Sequence, residues 1–352
     1  MCPVKIGLKP ESPLEALVLA LGLVPLPLGE TLPPLLLARV LMAAARFGVF
    51  EALAEGSQEA AGVAARCGTH PEATRTLLDT LVSCGYLDLA GDRYALTPLA
   101  RKWLVPESPV SLHDSLLYRY LEWDWIARLD DYLRSGEPLH IHREMARDQW
   151  ELYQRGMLAV ARLSAAELAR RAPVPRGARE MLDVGGAHGF HSAALCRRYP
   201  ELRSSVLDLS EAVEHAAPLL AAQGLGERVV HRAGDALVED FGTERYDFIL
   251  VSQLLHHFDD ATNRDVVGRL AHALRPGGVL AILELLRRNS PREGGQLGGL
   301  LDLYFALTSE SGTWSFDEMA DWARGADLRP SKPVRFRTLP GLGLQAAVKP
   351  RQ

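Results

Sequence analysis

The sequence predicts an α/β C-terminal half built on a parallel sheet, preceded by a mainly helical half with the pattern of a winged helix. Three observations predict it. From Glu180 onward, strand-like apolar runs alternate with helical stretches, which is the signature of βαβ units. The first of those runs leads into Gly185-Gly186-Ala187-His188-Gly189, a glycine-rich turn that opens a helix. Between residues 57 and 104, two helical stretches precede a strand–turn–strand pattern.

The chain has 352 residues, which suits two domains. Hydrophobic residues make up 47% and charged residues 24%, a globular balance that excludes a disordered or collagen-like chain. The 39 basic and 44 acidic residues leave a net charge of −5, which argues against a nucleic-acid partner. The four cysteines, Cys2, Cys67, Cys84 and Cys196, form no CxxC pair and no zinc-like spacing. They read as reduced thiols of a cytoplasmic protein. The longest apolar stretch, Leu14 to Leu28, contains Glu15, Pro25 and Pro27, too short and broken to span a bilayer. It also lacks the basic leader and cleavage site of a secretory signal.

Residues 1–30 are rich in Pro and Leu and read as an extension, packed on a partner subunit or partly loose. Leu35 to Leu53 has helical apolar spacing and few breakers. Ser57 to Arg66 reads as a short helix, and Thr69 with Pro71 as the cap and first-turn proline of the next. That helix carries Leu77, Leu78, Leu81 and Val82 on one face and stops near Gly85. Tyr86 to Leu89, a Gly91-Asp92 turn and Tyr94 to Leu96 then form a hairpin. The second helix sets Glu72 and Asp79 against a single Arg75, so no basic stripe meets phosphates and subunit packing is the stronger reading. Residues 111–170 read as further helices bearing an aromatic group that includes Trp123, Trp125, Trp150 and Tyr153, core residues first and pocket wall second. The Pro- and Gly-bearing segment Arg171 to Arg179 reads as the boundary.

Beyond it, strands are expected at Glu180–Val184, Ser204–Leu209, Val229–Arg232, Phe248–Ser252 and Val279–Leu286. Helices are expected at 189–198, 210–223 and 262–274, with a turn at Arg275-Pro276-Gly277-Gly278. The tail adds a helix at 315–325 and two extended runs, 332–337 and 343–348, which suit an antiparallel edge hairpin.

The first strand ends in Asp183-Val184-Gly185-Gly186-Ala187-His188-Gly189. The dinucleotide pattern GxGxxG needs glycine where Val184 stands, and no phosphate-loop Gly-Lys-Ser/Thr exists. An acid two positions before a Gly-Gly pair suits a ligand carrying an ammonium and a sulfonium. Asp208 ends the second strand, 19 residues after Gly189, where a carboxylate can accept both ribose hydroxyls. Asp235, in Gly234-Asp235-Ala236, comes after the third strand and can accept from an adenine amino group. Each acid alone could be a helix cap or turn residue; three at successive strand ends make the signal.

With these motifs the chain resembles the class I S-adenosylmethionine-dependent methyltransferases. Within them it is similar to the dimeric small-molecule O-methyltransferases of the plant caffeate and acetylserotonin type and of bacterial natural-product tailoring. The resemblance covers about residues 35–350. It implies a Rossmann-like seven-stranded sheet, a winged-helix dimerisation domain, a homodimer, and S-adenosyl-L-methionine as cofactor. The organisation expected is an extension at 1–30, the dimerisation domain at 31–110, a helical linker and pocket region at 111–175, and the catalytic domain at 176–352. Asp183, Gly185, Gly186, Gly189, Asp208, Leu209, Gly234, Asp235, Ala236 and Ser252 are the expected cofactor contacts, Ser252 standing where a lysine often sits. Ala187 replaces a loop glycine common in the group.

The fourth strand leads to Leu255-His256-His257-Phe258-Asp259-Asp260. Strand carboxyl ends face the ligand crevice, and an imidazole there can accept a hydroxyl proton near neutral pH. The resemblance makes His256 the base and puts His257 where many members have Asp. Glu284, an acid inside the apolar run Leu283-Glu284-Leu285, needs a partner to be buried and matches the glutamate that holds the histidine. The second glutamate common in the family is replaced by Thr313, with Glu310 three residues away. Met157, Phe305 and Ser309 are the pocket candidates. The expected reaction is methyl transfer to a hydroxyl of a small, phenolic acceptor, with no metal, nucleic acid or membrane. The rivals are N- or C-methylation, another use of the bound sulfonium, and a ligand- or DNA-binding regulator.

Overall fold

The computed structural model describes residues 7–293 and 295–351, so Cys2 and the start of the 1–30 extension lie outside the described residues. Two compact units divide between Tyr120 and Leu121, within the helix His113–Ile126. Residues Leu121 to Arg171 therefore group with the C-terminal sheet.

In the first unit the single helix expected over Leu35–Leu53 is two. Leu32–Arg46 starts on Pro33 and Pro34, and Val49–Ala52 comes after Gly48, whose φ of +75° reverses the chain. That reversal buries Val49, Phe50 and Leu53. The helix expected from Ser57 begins at Ala60, because β1 (Gln58–Glu59) pairs antiparallel with β3 (Arg93–Leu96). β2 (Leu87–Ala90) pairs with β3 around the Gly91-Asp92 turn and completes a three-stranded antiparallel sheet. The helix Pro71–Ser83 buries Leu78 and Leu81; its N-cap is His70 rather than Thr69, whose hydroxyl instead meets Thr74 Oγ1 at 2.6 Å. Leu14, Leu17, Leu21, Leu28, Leu32 and Leu36 are exposed. Among the described residues, Leu26–Arg46, and not Leu14–Leu28, is the stretch long and apolar enough to cross a membrane by length and composition.

The second unit realises the βα alternation. Its strands are β4 (Glu180–Val184), β5 (Arg203–Asp208), β6 (Val229–Ala233), β7 (Tyr246–Ser252), β8 (Leu274–Leu285), β9 (Arg329–Pro330), β10 (Val334–Arg335) and β11 (Leu342–Val348). They run in the order β10-β11-β8-β7-β4-β5-β6, with β9 paired to β11 off that path. β6, β5, β4, β7 and β8 are mutually parallel, and β11 is antiparallel to β8. The tail is thus more than an edge hairpin, since β11 lies inside the sheet between β8 and β10. Both faces are covered, as a parallel sheet requires. Leu182, Ile249 and Leu280 enter one core; Met181, Phe248 and Ala281, one residue before or after them, enter the other.

The turn expected at Arg275–Gly278 is instead a bulge in β8. Tyr246 faces Leu274 and Phe248 faces Val279, so the residues between are looped out, with Gly277 at φ +83°. β4 stands between β5 and β7, where strand order reverses. Such a switch point leaves a crevice at the strand carboxyl ends.

Candidate functional site

The loop after β4 needs its glycines for space. A Cβ on Gly186 would lie 2.6 Å from both the Asp183 carboxyl carbon and Val206 Cγ1, and Gly185 sits at φ +66° with Leu254 where its Cβ would be. Gly189, at φ +68°, starts the helix Phe190–Arg198 and lies against Leu220. Asp183 is buried beneath this loop. Its Oδ2 accepts from Ser192 Oγ at 2.6 Å, while its Oδ1 has no partner. Burial pushes its carboxyl up to about 7, the Asp208 charge adding to it and the Ser192 bond opposing it. A buried carboxylate oxygen left unsatisfied is costly, and a cationic ligand relieves that cost.

The folded chain holds a proton on Asp183 between the ordinary carboxylate range and about pH 7, where the unfolded chain does not. Stability from this group therefore rises as pH falls through that window. Without ligand, Asp183→Asn is expected to melt above the wild type at pH 8, with the gap closing toward pH 4. A gap that does not change with pH in thermal melts would refute the raised titration.

At the end of β5, Asp208 Oδ2 accepts from Ala187 N at 2.7 Å and Oδ1 from Leu209 N at 2.8 Å. Burial still pushes its carboxyl up to about 6. After β6, Asp235 Oδ1 accepts from Leu237 N at 2.9 Å in an Asx turn. A cavity of about 1120 Å³, its open mouth included, is walled on this side by Gly185, Asp208, Leu209, Gly234, Asp235 and Ala236. Asp183, Gly186 and Gly189 are not on that wall. Ser252 is buried behind it, 3.1 Å from His191 Nδ1; Gln253, at φ +52°, and Leu254 take the wall instead.

On the opposite side, β7 runs into the one-turn helix Leu255–His257. His256 Nδ1 is 2.8 Å from Glu284 Oε2, and Glu284 Oε1 accepts from Leu255 N at 2.8 Å. Glu284 is fully buried, as the paired-acid argument required. Asn263 Nδ2 and Trp314 Nε1 both donate to Leu255 O, at 3.0 and 2.9 Å, and fix the turn. Phe305 stacks on the His256 ring at 3.8 Å between centroids. Among the described residues, no second carboxylate pairs with His256: Thr313 donates to Asp302 Oδ1 through its amide and hydroxyl, and Glu310 lies 3.4 Å from His140 Nδ1.

His257 stands on the cavity wall, where His256 does not. Its Nδ1 is 2.6 Å from Ser309 Oγ, and the edge of the His142 ring meets it at 4.6 Å. His142 Nε2 is 3.1 Å from the Tyr153 hydroxyl. Burial lowers His142 to about 4; burial and the two neighbouring imidazoles hold His257 well below its ordinary value. Both rings are neutral at pH 7. Of the acceptor-side candidates, Ser309 is on the wall and Phe305 lies behind it on His256. Met157 is off the wall, its carbonyl bonded by His188, while Trp150, Tyr153 and Gln154 of the same helix are on it. Trp125 packs with Leu139, Ile141 and Leu307 as core. Sequence reasoning does not single out His142 or Gln253 as site residues, and it reads Tyr153 as core first and pocket wall second. The only signal for His142 is its spacing in His140-Ile141-His142. Among the described residues, no group of three or more His, Cys, Asp or Glu could hold a metal ion.

Two family models match the chain: an O-methyltransferase domain over residues 127–325 and an O-methyltransferase dimerisation domain over residues 32–106. The chain is 29% identical over 319 residues to a 3-hydroxy-5-methyl-1-naphthoate 3-O-methyltransferase of Streptomyces sahachiroi, covering 88% of this chain and 91% of that one. It is 30% identical over 294 residues to the acetylserotonin O-methyltransferase of Bos taurus, covering 77% and 82%. Human N-acetylserotonin methyltransferase, crystallised with S-adenosylmethionine, superposes with a TM-score of 0.81 at 22% identity, covering 97% and 99% of the two chains.

Proposed function

The chain belongs to the O-methyltransferase family, whose members move a methyl group from S-adenosylmethionine to a hydroxyl of a small molecule, and from that premise we propose that the hydroxyl is a phenol and His256 its general base. The observation that carries this is the buried His256–Glu284 pair. With Nδ1–H donated to the carboxylate, Nε2 keeps its lone pair for a substrate proton. A phenol, ordinarily titrating near 10, becomes a strong nucleophile as that proton leaves. When bound, S-adenosylmethionine supplies a methyl group activated by its sulfonium.

The residues present fit that cofactor. Asp183 has a carboxylate oxygen without a partner beneath the loop, Gly185 lies on the cavity wall, and Asp208 and Asp235 stand at successive strand ends. We assign Asp208 to the ribose hydroxyls, Asp235 to the adenine, and Leu209, Gly234 and Ala236 to the same seat, with Gly189 turning the chain behind it. Ser252 acts only through His191 in this reading. The acceptor side is aromatic and hydrogen-bonding but uncharged at His142 and His257, which supports an aromatic acceptor bearing oxygen functions. Ser309 and His257 would touch it directly, with Phe305 holding the base in plane. The exposed leucines of the first unit, beside the dimerisation-domain match, support a homodimer.

That no second carboxylate pairs with His256 among the described residues favours one other reading, transfer to nitrogen or carbon, where proton removal is less demanding. A panel of phenols, aliphatic alcohols, amines and enolic carbons, incubated with S-adenosylmethionine and read by mass spectrometry, separates the two. Methyl gain on phenols is expected. Gain confined to amines or carbon acids would reject the proposal.

A further inference from the structure

We propose that His231 is a positioning residue for the cofactor loop, the group that lets this chain carry alanine at 187. The inference rests on the crevice being the seat of S-adenosylmethionine. Ala187 is the one non-glycine residue of the loop with a left-handed backbone, at φ +46°. An L residue is disfavoured there, because its Cβ crowds the next carbonyl. Gly185 and Gly189 adopt positive φ with no such cost.

Ala187 is held from both sides. Its N–H donates to Asp208 Oδ2 at 2.7 Å, and its carbonyl accepts from His231 Nε2 at 2.8 Å. A carbonyl only accepts, so the second bond fixes the His231 tautomer with hydrogen on Nε2. The two clamping groups are rigidly related: β5 carries Asp208, β6 carries His231, and the strands pair with Asp208 opposite Ala233 and Val206 opposite His231. His231 is half-buried, and burial lowers its titration, which keeps the neutral ring in place. The clamp has a consequence for Asp208. The carboxylate oxygen that bonds the loop belongs to the group assigned to the ribose, so a loop released at Ala187 also releases that carboxylate.

The test is calorimetry with S-adenosylhomocysteine on the full chain, using wild type, His231→Phe, and both again in an Ala187→Gly background. Phenylalanine keeps a ring and removes the donor. His231→Phe is expected to raise the dissociation constant about tenfold, the size of one lost hydrogen bond. In the Ala187→Gly background the same substitution is expected to cost no more than about twofold, because glycine needs no clamp. A merely structural histidine would cost the same in both backgrounds. That equality, or unchanged binding in His231→Phe, overturns the proposal. If His231→Phe and His231→Asn both fail to give a cooperative melt, His231 is a folding residue and the proposal is again overturned. Failure of the wild type to bind S-adenosylhomocysteine would instead reject the cofactor site itself.

Discussion

His256→Ala is expected to lower kcat by about 10²- to 10⁴-fold, the range for loss of a positioned general base, with S-adenosylhomocysteine affinity within about twofold of wild type. The split stems from position. His256 touches Glu284 and Phe305 and is not among the residues that line the cavity with Asp208 and Asp235. Glu284→Gln should fall between that variant and the wild type. It keeps a carbonyl oxygen for Leu255 N or for the imidazole, but removes the charge that stabilises imidazolium. Glu284→Ala is a poorer probe, since it leaves Leu255 N and His256 Nδ1 buried without their partner. Turnover in His256→Ala at more than about a third of wild type would remove general-base catalysis from the account.

Asp208→Ala is expected to weaken S-adenosylhomocysteine binding by about 10²- to 10³-fold, since two hydrogen bonds to a charged carboxylate are lost at once. The substitution also orphans Ala187 N and Leu209 N, so the loop relaxes as the ligand contact disappears. Asp208→Asn should recover part of the loss by keeping one acceptor oxygen. Because burial pushes this carboxyl up to about 6, wild-type affinity should decline as pH falls below that value, while Asp208→Asn stays flat. Titration calorimetry between pH 5 and 8 reads both, and equal affinity for wild type and Asp208→Ala would take the ribose role away from this residue.

Legible and illegible parts of the molecule divide on physical lines. The strand ends carrying Asp183, Asp208 and Asp235 were readable because βα alternation and a glycine loop are local patterns, and these dictate the sheet geometry. Glu284 was readable because an acid inside an apolar strand demands a partner, and His256 was the partner nearby in the fold. Of the far wall, Ser309 was readable and its surroundings were not. His142, which meets the Tyr153 hydroxyl, reaches His257 across more than 100 residues of sequence, and no period or motif encodes that meeting. Ser252 and Gln253 illustrate a smaller failure. Register alone decides which of two neighbours at a strand end faces the crevice, and the positive φ of Gln253 settled it against Ser252. Gly48 broke a helix that apolar spacing had joined, because one left-handed residue outweighs a continuous pattern.

The bulge in β8 separates the two ends of that strand in how they tolerate change. At the amino end, the residues between Leu274 and Val279 have no partner on β7, so a gained or lost residue there leaves the register with β7 in place. From Val279 to Leu283 the strand is zipped to β7 on one side and, through Leu285, to β11 on the other. One extra residue there would turn Glu284 to the opposite face and strand His256 without its carboxylate. Indels among descendants of this gene should therefore gather before Val279 and be missing from the five positions ahead of Glu284.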